Sequence, residues 1–229
     1  MMKAQEPKDP IVLSYLTLRK AVGLVALALP FAVTIPWALR HHAIQASISA
    51  YYYTGTRNVF VGSLCAIAMF MLCARGYDSW DETVGIISAI CAIGVAFAPT
   101  APATCATHLQ RVTGWIHYSF AAVLFTSLAI FCLFLFRMSA QGHTVTRRKR
   151  IRNRVYTICG ITILLSMILL AVTTLLHPIK FLLPHLAPGI FFETTSLLAF
   201  GIAWLVKGEA FLKDESPGHR ASKPAGQGM

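Results

Sequence analysis

Acidic side chains are what this chain has least of: 9 Asp and Glu stand against 20 Lys and Arg in 229 residues, and charged residues of both signs make up only 13% of it. Soluble domains carry roughly 25% charged residues, so an ordinary water-soluble fold is excluded. The short signatures of common chemistries are missing as well. There is no Walker loop, no Gly-x-Ser-x-Gly and no dinucleotide fingerprint, so nucleotide-driven transport and ordinary serine hydrolysis lose support. Neither His-x-x-x-His nor His-Glu-x-x-His occurs, and no Cys-x-x-Cys points to a zinc ribbon. No cofactor is expected.

What is present is apolar. Hydrophobic residues are 56% of the chain and the mean hydropathy is +0.62, which places it in a membrane, with membrane lipids as its partners. The net charge of +11 does not point to nucleic acid, because the basic residues flank apolar runs and no helix-turn-helix, RNP-like or zinc-finger spacing accompanies them. Of the six cysteines, Cys65, Cys73, Cys91, Cys132 and Cys159 fall inside or at the ends of apolar runs, and only Cys105 falls in an outer loop. They read as small apolar residues rather than a disulfide framework.

Six spans follow from the runs: about Ala21–Leu39, Asn58–Ala74, Thr83–Ala98, Val112–Phe136, Val155–Leu176 and Gly189–Val206. The fold class is therefore all-α, a polytopic transmembrane bundle of six helices. Residues 1–20 read as a cytoplasmic N-terminal tail, 21–208 as the six-helix domain and 209–229 as a disordered cytoplasmic tail. Pro30 and Pro36 predict a bent first helix. Tyr51, Tyr52 and Tyr53, at a span boundary, read as part of an aromatic belt.

Charge decides the orientation. The run Arg147-Arg148-Lys149-Arg150-Ile151-Arg152-Asn153-Arg154 is the densest in the chain, and short basic loops stay on the cytoplasmic side. Fixing it inside puts both termini inside. Sixteen Lys and Arg then lie on that side, leaving Arg40, Arg57, Arg111 and Lys180 outside. The expected location is a bacterial inner (plasma) membrane.

The acids single out one position. Every Asp and Glu is cytoplasmic except Glu193, about one turn inside the sixth span from the outer face. A carboxylate within a bilayer costs about 2.5 to 3.5 kcal/mol at mid-span and turns toward a partner or a cavity. His117 lies at a similar depth in the fourth span. A hydrogen bond or ion pair between His117 and Glu193, joined by Arg57 or Tyr53, is expected. The alternatives are an outer-leaflet pocket for a lipid headgroup or small ligand, and a metal held by His117, Glu193 and a loop histidine. The ligand-binding candidates are Glu193, His117, Arg57, Tyr53 and Asn58; no metal ligand is assigned.

Four stretches carry a resemblance: Ser47-Ile48-Ser49-Ala50-Tyr51-Tyr52-Tyr53-Thr54-Gly55, Arg57-Asn58-Val59-Phe60-Val61-Gly62, Asn153-Arg154-Val155-Tyr156 and Phe200-Gly201-Ile202-Ala203-Trp204. In them the chain resembles uncharacterised bacterial six-helix membrane proteins, which are in turn loosely similar to the DRAM/Frag group. The resemblance implies a six-helix fold and no catalytic residues. A likeness to ceramidase-like membrane hydrolases is weaker, since the paired histidines of their last helix are missing. The expected function is a non-enzymatic membrane protein that binds or organises lipid or a small ligand near the outer leaflet; the rival is a metal-dependent intramembrane hydrolase.

Overall fold

The computed structural model describes residues 10–73, 79–102, 105–138, 146–175 and 187–212. Among them are six α-helices and no strand: α1 Pro10–His41, α2 Arg57–Cys73, α3 Ser79–Phe97, α4 His108–Leu133, α5 Arg147–Leu175 and α6 Pro188–Lys207. Two short 3-10 helices, Ser49–Tyr53 and Leu135–Arg137, lie between them. Helices are the available solution for such runs, because a segment with no water beside it must satisfy its N–H and C=O groups internally. Five of the six are long and apolar enough to cross a membrane; α2, at 17 residues, is shorter. The chain is thus an all-α protein with the helices of a multi-pass membrane protein.

Each helix packs against its neighbours in sequence, and α6 packs back against α1, so the six close into a ring. A Cβ on Gly208, just past α6, would touch the Lys20 backbone nitrogen at 3.1 Å and the Leu16 carbonyl oxygen at 3.2 Å. The start of α1 and the end of α6 therefore share one end of the bundle. The ring closes through a crossing of two glycines. A Cβ on Gly23 would lie 2.8 Å from the Gly201 carbonyl oxygen, and one on Gly201 2.8 Å from that of Gly23. Such small-residue crossings let backbones approach closely where no hydrophobic effect drives helices together.

Packing inside and exposure outside follow the same logic. Tyr51, Phe60, Phe131, Phe136, Tyr156, Phe200 and Trp204 are buried, whereas Leu24, Phe31, Ile90, Phe97, Ile158 and Ile168 are exposed on the helix exteriors. An apolar exterior of that extent is a surface for lipid.

Several boundaries differ from the sequence expectation. Helix α1 begins at Pro10, well ahead of the expected first span, since a proline in the first turn gives up an N–H that has no helical acceptor there. The basic run 147–154, read as a loop, forms the first two turns of α5; Arg and Lys are good helix formers, and a helix need not stop where hydrocarbon does. Pro30 and Pro36 lie within one continuous α1. Tyr51, expected in an aromatic belt, is fully buried, and its hydroxyl accepts from the Gln45 amide at 3.2 Å. The C-terminal tail from 213, the turn at 74–78 and the loop with His177, Lys180 and His185 lie outside the described residues.

Helix α4 starts at a reciprocal cap. Thr107 Oγ1 accepts from the Gln110 amide at 3.2 Å, and the Thr107 amide donates to Gln110 Oε1 at 2.8 Å. Thr107→Ala is expected to cost about 1 kcal/mol, read as faster amide exchange confined to the first turn of α4. Unchanged exchange there would show that the cap contributes nothing.

Candidate functional site

The end of the bundle that holds Glu193 is closed by the connection between α1 and α2, which folds down onto the start of α6. Two backbone contacts seat it: the Ile190 amide donates to the Ala46 carbonyl at 2.8 Å, and a Cβ on Gly189 would meet that same oxygen at 2.6 Å. Glycine is needed there because nothing larger clears the passing chain. The 3-10 helix that follows presents its N-terminus to α6. Its first residue, Ser49, donates from the backbone N at 3.0 Å and from Oγ at 3.3 Å, both to Glu193 Oε2. A carboxylate bonded to free amides at a helix start is a favourable pairing of negative charge with the positive helix end.

His117 is elsewhere. Its side chain is 2% exposed, and Nδ1 donates to the Ala98 carbonyl at 2.6 Å, tying α4 to the end of α3. The further contacts are also with backbone, Val95 for His117 and Ile48 for Glu193, and no hydrogen bond or ion pair joins His117 to Glu193, so the expected pair between them does not form. The physical reason is local: each polar group is met by a backbone group at a helix terminus, the Ser49 amide for Glu193 and the Ala98 carbonyl for His117. The two still share a neighbour. The Tyr118 ring lies 5.8 Å from the His117 ring, edge to face, and Tyr118 is within electrostatic reach of Glu193.

The remaining candidates flank this latch without entering it. Arg57 is exposed; its guanidinium lies over the Tyr52 ring at 4.1 Å and Nη2 donates to the Tyr52 hydroxyl. Tyr53 is 49% exposed, but its hydroxyl donates to the Thr100 carbonyl at 2.6 Å, pinning the 3-10 helix to the segment after α3. Desolvation of that hydroxyl, and then the neighbouring Tyr52, raise the Tyr53 pKa. Asn58 is exposed on the first turn of α2. Arg57 and Tyr53 therefore do not join His117 to Glu193. Among the described residues, no three His, Cys, Asp or Glu side chains converge as a metal would require.

Sequence reasoning missed Ser49 as the partner of Glu193 and the Thr100 and Ala98 carbonyls as acceptors. Nothing in the local pattern marks them, since each contact joins segments far apart in the chain. Comparison with protein-family models, curated proteins and solved structures finds no match.

Proposed function

We propose that this is a six-span protein of the bacterial inner membrane, of the kind of the uncharacterised six-helix proteins it resembles. Both termini are cytoplasmic, and the outer end binds or organises lipid, or a small ligand, around Glu193. One observation carries the ligand reading: Glu193 is a half-buried carboxylate within an apolar helix, met by Ser49 and the Ile48 backbone and by no basic side chain among the described residues. Such a group is expensive in a membrane segment and marks a site where it is used. Its charge suits a ligand that presents an ammonium or hydroxyl donor, and Tyr118, within electrostatic reach of Glu193, supplies an aromatic ring and a hydroxyl. The hydrolase reading has no comparable support, because His117 and Glu193 are committed to different partners.

Native mass spectrometry of the chain extracted from its own membranes tests this. A retained small molecule or lipid is expected on the wild-type protein and lost from Glu193→Gln, while Thr107→Ala, destabilised at a different place, keeps it. Equal retention by Glu193→Gln would end the reading.

A further inference from the structure

Where α4 gives way to the second 3-10 helix, a cavity of about 780 Å³ opens between α3, α4 and α5. Its walls are apolar: Val84 comes from α3, and Ile130 and Leu133 from the last turn of α4. Trp80, Phe134 and Met138 also line it and are exposed, so they form a rim open to the surroundings of the bundle. Ligand sites run from about 300 to 1,000 Å³, and walls of this kind suit a hydrocarbon chain better than water. The Lys207 ammonium, at the end of α6, donates to the Phe136 carbonyl at 3.4 Å, so this cavity and Glu193 lie at opposite ends of the bundle.

Two polar side chains interrupt the apolar lining. Arg137, at the end of the 3-10 helix, is exposed and donates from Nη1 to the Leu133 carbonyl at 3.1 Å. That bond uses one of its five N–H donors, holds the guanidinium at the cavity and leaves it with no acidic partner among the described residues. Asn153, in the second turn of α5, is the other. Its Oδ1 is closed off from water and has no hydrogen-bond partner. Buried polar atoms are nearly always paired, so an orphan acceptor on a residue of the cavity wall marks a place for a donor. Lys149 Nζ donates to the Met138 carbonyl at 3.1 Å, which puts a second cation beside the rim. The acids at the start of α3, Asp81 and Glu82, do not line the cavity.

These features describe one amphiphile. The walls take an acyl chain, and the Arg137 guanidinium takes phosphate oxygens through its planar fork. Two cations at the rim favour a head group that keeps a net negative charge. An indole such as Trp80 sits well at the depth where hydrocarbon gives way to head groups. Asn153, turned toward the head group, accepts from a hydroxyl. We propose that the cavity between α3, α4 and α5 binds an anionic phospholipid of the phosphatidylglycerol class, with its phosphate on Arg137 and a head-group hydroxyl on Asn153. This site is separate from Glu193 and stands or falls without it.

The test uses the full chain, delipidated in a maltoside micelle, with the thermal unfolding midpoint as the readout. Phosphatidylglycerol is expected to raise the midpoint saturably, as any ligand selective for the folded state does. Two lipids with the same acyl chains are the comparisons: phosphatidylcholine has no net charge, and phosphatidylmethanol keeps the negative charge but lacks the hydroxyls. Each should need about tenfold more lipid for the same shift. Arg137→Gln should weaken the phosphatidylglycerol response by about tenfold. Arg150→Gln, an equal change of charge on an exposed residue of α5 that does not line the cavity, should keep the response within about twofold. Asn153→Leu should erase the preference over phosphatidylmethanol without lowering the ligand-free midpoint, because it removes an acceptor that has no partner. The proposal is overturned if phosphatidylglycerol stabilises no better than the comparison lipids, or if Arg137→Gln keeps the wild-type response. An equal loss in Arg150→Gln also overturns it, since surface charge alone would then account for the binding, as does an unchanged preference in Asn153→Leu.

Discussion

Gly201→Leu is expected to cause the largest loss of stability of any single change in this protein, about 3 kcal/mol or enough to prevent folding. The reason is what its side chain would strike. Most overpacked positions press on the flexible end of another side chain, which moves aside. Here the Cβ itself would lie 2.8 Å from the Gly23 carbonyl oxygen and 2.7 Å from Leu27 Cγ, so α1 and α6 would have to separate. That contact closes the ring of helices, and its loss leaves α1 held by α2 and by the short connection over the top. Gly23→Leu should behave alike, since its Cβ meets the Gly201 oxygen at 2.8 Å and Leu205 Cγ at 2.8 Å. Gly62→Leu provides the contrast: a Cβ there meets nothing within 4 Å, and its stability should change by no more than about 0.5 kcal/mol. Thermal unfolding in a nanodisc measures all three. Equal stability for Gly201→Leu and Gly62→Leu would show that α1 and α6 do not cross at these glycines.

Glu193→Leu is the second large effect, an expected loss of about 2 to 3 kcal/mol. Removing the carboxylate leaves the Ser49 amide without an acceptor inside the protein, and an orphaned buried donor costs about 1 to 3 kcal/mol. The damage should be local as well as global, with the 3-10 helix released from α6. A double-mutant cycle identifies the partner. Glu193→Leu and Ser49→Ala should combine to less than the sum of their separate losses, because the first removes the acceptor that the Ser49 hydroxyl uses. Glu193→Leu and His117→Leu should add within about 0.5 kcal/mol, since the two share no hydrogen bond. Additivity in the Ser49 pair together with coupling in the His117 pair would reverse this assignment and restore the direct contact that the sequence suggested.

That reversal shows where the residues alone stop being informative. The helices were legible because length and hydropathy are local properties: α2, α3 and α6 start and end within a few residues of the expected spans. The ends of α1 and α5 were not, because Arg19-Lys20 and the run from Arg147 were read as chain leaving the bilayer, whereas both continue as helix with Arg19 and Arg152 turned inward. Thr107-x-x-Gln110 is a helix-start signal that was present in the sequence, and it starts α4 at His108, four residues ahead of the expected span. Glu193 and His117 stood out because a polar group in an apolar run is conspicuous. Their partners did not, because backbone carbonyls and amides at helix ends carry no mark in the sequence. The Ser49 contact spans 144 positions and depends on a connection folding back over the bundle.

The central claim, six spans with the basic end in the cytoplasm and the Glu193 end outside, is tested most directly by thiol labelling in intact cells. Single cysteines are placed at Thr54, in the connection over α6, and at Lys149, in the first turn of α5, with the exposed Cys73 and Cys105 replaced. A membrane-impermeant maleimide should modify the Thr54 site in intact cells and the Lys149 site only after lysis. Labelling at Lys149 in intact cells, or protection at Thr54, would contradict the orientation and with it the placement of the Glu193 site at the outer leaflet.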